Sequence, residues 1–196
     1  MVITYNGDGY FKFQSGSTTV LLDPTNQRSF KGADIVLNTQ RPAETDAPEP
    51  SDKSAPFWID HPGEYEVGGI RIRGWQVPGS TEQERTVFRM DYDEFRFVCF
   101  GRLTKEPSAD IIEYLEHVDI VVIPAGGTPC ITPAKAAAFI RQFEPAIVIP
   151  SHYETKKALS TFLKEFNQSS CDMEERVTLR KSDVKEGTMA IRCLKS

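Results

Sequence analysis

The chain has 196 residues, 39% hydrophobic and 26% charged, with a formal net charge of −5 at pH 7. That length suits one domain or two small ones and allows a real core. The acidic balance, with Lys and Arg scattered among acids, argues against a nucleic-acid partner, because phosphate binding draws on clustered cations.

No apolar run approaches the roughly 20 residues that a membrane helix needs. The opening MVITYNGDGY has no charged stretch followed by a long apolar one, so neither a membrane partner nor a secretory leader is expected. In chain order, the first hundred residues read mainly as strands. VITY, GYFKFQ and TTVLLD are short runs broken by Gly, Asp and Ser, as in a meander, and ADIVLN follows. QRPAETDAPEPSDKSAP is too polar and Pro-rich to pack, so residues 41–56 are expected as an acidic solvated loop, either a lid or a disordered tether. FWI, YEV, IRIRGWQV, RTVFRMDY and FRFVCF resume the strands. The alternation in IRIRGW and RTVFRM places apolar side chains on one face and charges on a solvated one.

The period then changes. SADIIEYLEHV has a helical pattern with Ser108 as its N-cap, and His117 is expected at its C-terminal end, where a cation favours the helix dipole. DIVVIPAGG is a continuous apolar strand. Thr132-Pro133 opens the helix AKAAAFIRQF, since Pro at the first helical position loses no hydrogen bond. AIVIP is a second buried strand, so the stretch is a βαβ unit with a right-handed crossover. ETKKALSTFLKEF aligns Leu159, Phe162, Leu163 and Phe166 on one helical face, and RVTL and TMAIRCL close the chain as strands. The expected fold is α+β, two sheets packed face to face with helices outside, in a single domain spanning residues 1–196.

The four cysteines, Cys99, Cys130, Cys171 and Cys193, form no CxxC pair. Cys99 and Cys193 lie in apolar strand patterns and are expected as buried free thiols, which with the composition points to a cytoplasmic protein.

Ligands in such architectures gather beyond the carboxyl ends of parallel strands. Three strand exits carry polar residues: Asn38-Thr39-Gln40, Ala125-Gly126-Gly127-Thr128 and Ser151-His152-Tyr153. His152 is the leading candidate, because imidazole suits both proton transfer and metal binding near neutral pH. A capping or turn histidine is the blander reading. Cys130 lies at the same rim, so a Cys-His pair is conceivable, although a structural cysteine is the plainer reading. His61, in DHPGEY, reads as a turn residue rather than a ligand.

The succession LLDP, ADIVLNT, DHPGEYEVGGIRIRG, FRFVCFGRL, VDIVVIPAGG and EPAIVIPSHY resembles the metallo-β-lactamase superfamily. The likeness runs from about Val2 to Tyr153 and is nearest to the branch of ascorbate-phosphate lactonase-like hydrolases. It implies a four-layer αββα sandwich, a metal site at one rim of the sheets and, from the habits of that branch, a homo-oligomer. The family's HxHxDH signature falls here on Gln40-Arg41-Pro42-Ala43-Glu44-Thr45. Its next histidine falls near Gly79, its metal-bridging aspartate on Arg102, and only the last ligand is retained, as His152. Asp23 takes an outer-sphere position, and Asp8 stands where the family often has a polar active-site residue.

Catalytic zinc needs three protein ligands and an open position. His152 and Glu44 make two at most, and an arginine at the bridging position repels a cation; unit charges at ~4 Å and a dielectric near 20 repel by roughly 4 kcal/mol. An oxygen-rich cluster of Asp8, Glu44, Asp60 and His152, with Glu64 and Glu66 nearby in sequence, is the one route to Mg²⁺ or Mn²⁺. Against it, Arg102 is expected to pair with one of these acids. The expected site residues are therefore His152, Asp8, Glu44 and Arg102, with no metal or other cofactor. The expected function is a divergent, non-catalytic role that binds a small molecule or a protein partner. The alternative is a hydrolase of a lactone or phosphorylated ester with an unconventional Zn, Mn or Mg site, or with none.

Overall fold

The computed structural model describes residues 1–49, 51–79, 83–185 and 187–196. In chain order the strands are β1 (Val2–Tyr5), β2 (Phe11–Ser15), β3 (Thr18–Leu22), β4 (Ile35–Leu37), β5 (Gln40–Arg41), β6 (Phe57–Ile59), β7 (Gly63–Val67), β8 (Ile70–Val77), β9 (Glu84–Tyr92) and β10 (Phe95–Cys99). Then come α1 (Ala109–Tyr114), β11 (Ile120–Pro124), α2 (Pro133–Phe143), β12 (Ile147–Ser151) and α3 (Lys156–Lys164). Four two-residue strands finish the chain: β13 (Met173–Glu174), β14 (Val177–Thr178), β15 (Ala190–Ile191) and β16 (Cys193–Leu194).

Among the described residues one sheet runs β14-β1-β2-β3-β4-β6, and a larger one runs β15-β12-β11-β10-β9-β8-β7 with β5 added beside β9. The expected α+β sandwich follows from how the strands divide their side chains. Ile3, Phe11, Phe13 and Leu22 from the first sheet meet Phe88, Met90, Phe97, Val122 and Ile149 from the second, all at or near zero exposure. The opposite face of the second sheet, with Val87, Val98, Val121 and Val148, is covered by Phe139, Ile140 and Phe143 of α2 and by Phe162 and Leu163 of α3. The first sheet has a thinner cover: a 3₁₀ turn at Gln27–Phe30 lays Phe30 against Trp58, Val36 and Leu21.

β11 and β12 pair in parallel, Ile120 opposite Ile147, as the crossover through α2 requires. Thr132 caps α2 by accepting from the Lys135 amide, and Glu144 ends it in the left-handed region at φ 47°. Helix α1 is shorter than its sequence pattern: Ser108 makes no side-chain cap, the helix stops at Tyr114, and exposed His117 lies beyond its last turn. Among the described residues no helix is long and apolar enough to cross a membrane.

The cysteine reading needs one correction. Cys99 is a buried free thiol, as is Cys130, but Cys193 forms a disulfide with Cys171. The parallel pair β13–β16 sets Met173 opposite Cys193, bringing Cys171 within 6.1 Å (Cα to Cα) of a cysteine 22 residues away, a proximity that local spacing rules do not register.

Asp119, at the entry to β11, clamps the start of β10. Its buried carboxylate accepts from the Arg96 amide (2.8 Å) and from Arg96 Nε (3.1 Å) and Nη2 (3.0 Å). Burial by itself would raise its pKa, but these bonds outweigh burial and the net direction is down. A carboxyl with a lowered folded pKa contributes stability above its unfolded pKa, near 4, and loses that contribution as pH falls through the folded value. Asp119→Ala is therefore expected to lower the unfolding free energy at pH 7 by about 2 kcal/mol. Denaturant titrations of both proteins at pH 7 and pH 3 check this, with the gap shrinking at the lower pH.

Candidate functional site

The carboxyl ends of β3, β4, β10, β11 and β12 open at one rim. There Asp23, Thr39-Gln40, Gly101-Arg102, Gly126-Gly127 and His152 follow their strands, and the turn between β1 and β2 adds Asp8. Asp8, Asp23 and His152 all hold left-handed backbone (φ 48°, 47° and 50°). Such conformations are uncommon away from glycine and cluster where surrounding structure enforces a function.

Asp23 organises the floor. Its carboxylate accepts from the Thr39 amide and the Thr39 hydroxyl, both at 2.6 Å, and burial pushes its pKa up to about 6 against the pull of those bonds and of Arg102 and Arg85. Gly101 permits this arrangement, since a Cβ there would lie 2.0 Å from Thr39 Oγ1. His152 is held just as closely. Ser151 Oγ meets its Nδ1 at 2.9 Å, its amide donates to the Tyr5 hydroxyl at 3.1 Å, and its Nε2 edge lies on Gly9, where a Cβ would come within 2.3 Å.

Arg102, expected to pair with one of the nearby acids, forms its salt bridge with Asp8. With His152, Cys130, Gly126 and Gly127 they line a pocket of about 420 Å³. Glu44 does not line that pocket: its carboxylate accepts from Gln40 Nε2 at 2.7 Å, on the neighbouring side of the rim. Cys130 and His152 share the pocket wall, but no hydrogen bond joins them, and burial pushes the Cys130 thiol up against the pull of Arg102 and Arg85.

Asp60 and His61 pair with each other, and His61 Nε2 meets Arg41, which also binds Glu84, so the chain Asp60–His61–Arg41–Glu84 is an exposed network beside the rim. Glu64 bonds Arg73 at 3.2 Å on the outer face of β7 and β8, and Glu66 lines the same outer groove. The oxygen-rich cluster is therefore not assembled: among the described residues no three of His, Cys, Asp and Glu gather as a metal would require. Gly79 follows β8 without entering the pocket, and the neighbouring positions 80–82 lie outside the described residues. Among its described residues, the acidic loop lines a separate groove with Gln27, Phe30 and Lys31, and none of them lines the rim pocket.

Arg85 is the site residue that sequence alternation misplaces. The pattern of RTVFRM assigns its charges to a solvated face, yet Arg85 is only 7% exposed. Pairing of β5 with β9 sets Gln40 directly opposite it. Its Nη1 then donates to Gln40 Oε1 and its Nη2 to Gln83 Oε1 at 2.7 Å, while Nε has no partner among the described residues. Flanked by Glu84 and Thr86, Arg85 carries no sequence signal of burial.

The β-lactamase superfamily domain model matches residues 2–152, more than three quarters of the chain, and the chain belongs to that family. No curated protein matches it in sequence. Among solved structures, a Thermotoga maritima protein assigned as a Zn-dependent hydrolase of the metallo-β-lactamase superfamily superposes with a TM-score of 0.75 at 22% identity, covering 99% of each chain. A protein from Parabacteroides distasonis, assigned as a metal-dependent hydrolase, gives 0.64 at 18% identity over 98% of this chain and 93% of its own. Igni18, a metallo hydrolase from Ignicoccus hospitalis, gives 0.63 at 15% identity over 91% and 99%. At these identities the likeness shows the fold.

The residues present do not fit a catalytic zinc of the kind such a fold can hold. Of the residues on which the resemblance places the metal signature, Gln40 is committed to Arg85 and Glu44, Pro42 and Thr45 offer no carboxylate, imidazole or thiolate, and Arg102 is bound to Asp8.

Burial, then Arg102, with Asp8 opposing and Arg85 adding, depress the His152 imidazole to about 4. It is therefore neutral at physiological pH. An unfolded histidine takes its proton near pH 6.5, so between 6.5 and 4 acidification favours the unfolded state. Asp23, with its pKa raised, acts in the opposite sense over an overlapping range, so the test compares two proteins that both contain it. His152→Asn keeps a residue that tolerates left-handed backbone. On lowering the pH from 7 to 5, wild type is expected to lose about 2 kcal/mol more stability than the variant, read by denaturant unfolding.

Proposed function

We propose that this chain is a divergent member of its family whose rim binds a small molecule without a catalytic metal ion, in effect a pseudoenzyme. The observation that carries this reading is the Arg85–Gln40–Glu44 network together with the Arg102–Asp8 pair. Two guanidinium groups stand at the rim where the fold family places a dication, and the side chains that would grip one are amide, proline, hydroxyl and guanidinium. Cations of like sign repel in such a space, and a zinc lacking three donors has nothing to fix its geometry or to lower the pKa of its bound water. What remains is a pre-shaped pocket with a neutral imidazole, a thiol, a cation and an open glycine turn. A cytoplasmic setting belongs to the same reading: the free thiols Cys99 and Cys130 support it, and the Cys171–Cys193 bond speaks against it.

A second reading draws on the likeness to proteins assigned as metal-dependent hydrolases. It makes the chain a hydrolase of a lactone or phosphorylated ester, with an unconventional Zn, Mn or Mg site or with a metal-free one built on His152. The two readings separate on purified material. Elemental analysis of protein prepared without chelator is expected to find no stoichiometric metal. Assays with a generic phosphomonoester and a simple lactone are expected to find no turnover with or without added Zn²⁺ or Mn²⁺. One equivalent of bound metal, or cleavage that disappears in His152→Ala, would establish the hydrolase instead.

A further inference from the structure

We propose that the rim pocket takes a small oxyanion, a phosphate or carboxylate group, whose oxygens displace Asp8 from the Arg102 guanidinium and meet the amides of the Gly126–Thr128 turn. This inference rests on the metal-free reading above and names the ligand class for the same pocket.

Three observations converge on it. The first is the state of Arg102. Its side chain is 26% exposed and faces the pocket, and its acidic partner Asp8 is 62% exposed on a turn. An ion pair that open contributes roughly 0–1 kcal/mol, so a ligand oxygen competes with Asp8 on nearly equal terms. Arginine also presents a planar fork that binds carboxylate or phosphate through two parallel bonds, which strengthens the ligand's side of the exchange.

The second is Arg85. A buried charge is costly unless an opposite charge answers it. Arg85 is 93% buried, yet its Nη groups are met by the neutral amide oxygens of Gln40 and Gln83, its Nε by none, and no carboxylate lies within salt-bridge distance among the described residues. The positive field of Arg85 reaches the pocket: it joins that of Arg102 in holding down the proton affinity of both His152 and Cys130. An anion in the pocket would meet Arg102 directly and the field of Arg85, which does not line the pocket and already feels Asp23 and Glu44, at longer range.

The third is the backbone. The amides of Gly126, Gly127 and Thr128 donate to no group of the chain among the described residues, and all three residues line the pocket, with Gly127 at φ 80°. Successive unpaired N–H groups in a turn form an anion-binding concavity. Of the acidic side chains on the same wall, Glu154 is exposed and Asp8 is exposed and bound to Arg102, the group the anion would have to displace.

The test is calorimetric titration of the full chain with inorganic phosphate and, separately, with acetate. It is run at low ionic strength on protein shown by elemental analysis to be metal-free. Phosphate or acetate is expected to bind at one site. Asp8→Asn, which removes the competing carboxylate, is expected to tighten binding severalfold. Arg102→Ala is expected to weaken it by about tenfold or more, and Arg102→Lys, which keeps the charge but not the fork, by an intermediate factor. Thermal unfolding of each variant verifies that it is folded, and Asp8→Asn, which alters only an exposed side chain, keeps the proposal testable if Arg102→Ala does not fold. Failure of both anions to bind metal-free wild type and Asp8→Asn overturns the proposal, and so does binding that is indifferent to Arg102. Finding stoichiometric metal would instead overturn the underlying metal-free reading, whatever the anions do.

Discussion

Arg85 carries a fixed positive charge into a place where 93% of its surface is hidden, and the chain answers it with amide oxygens rather than a carboxylate. Much of what is distinctive at the rim follows from that choice. Gln40 must accept from Arg85, so its remaining amide hydrogens turn to Glu44 and draw that acid away from the pocket. Arg85, Gln40 and Glu44 thereby form one connected hydrogen-bond network beside the pocket. A buried cation answered this way is sustained by the packing around it, which here comes from the pairing of β5 with β9 and from the two sheets that hold those strands in register.

The other half of the rim is held by close contacts that leave little freedom. Thr39 occupies the space a side chain on Gly101 would need, and the His152 ring occupies that of Gly9. Three polar residues adopt left-handed backbone in the same region, each at a cost of order 1–3 kcal/mol that only a well-packed scaffold sustains. The core beneath supplies that support: Phe11, Phe13, Phe88 and Phe97 are fully buried between the sheets. The result is a shaped and strained pocket. Shape of this sort favours binding, because the ligand meets groups already ordered and loses less entropy in organising them.

The comparison with solved relatives gains its meaning from this detail. Chains with 12–22% identity share the sandwich because the alternation of buried strands and the crossover through α2 tolerate wide substitution. The rim tolerates far less: a metal site depends on a few donor atoms, so replacing three or four side chains changes its chemistry while the scaffold stays the same. A shared fold therefore fixes the scaffold of the rim and leaves its chemistry open.

Most of the architecture was legible in the order of residues, because it rests on patterns that are local or strongly periodic. The apolar runs DIVVIP and AIVIP announced parallel buried strands, Thr132-Pro133 announced the start of α2, and the spacing of Leu159, Phe162 and Leu163 announced a helix lying on a sheet, though α3 ends at Lys164, before Phe166. The sequence also named His152, Asp8 and Arg102, which the structure brings to one pocket. Three features depended on distance in the folded chain. Strand alternation put Arg85 in solvent, whereas pairing with Gln40, 45 positions away, buried it. Spacing of cysteines left Cys193 free, whereas a two-residue parallel ladder brought Cys171 beside it. The choice of Asp8 over Glu44 or Asp60 as the partner of Arg102 was made by a turn 94 residues earlier in the chain. Periodicity reports which face of an element is apolar; which charged group meets which is set by the packing of elements remote in sequence, and that information exists only once the two sheets have closed on each other.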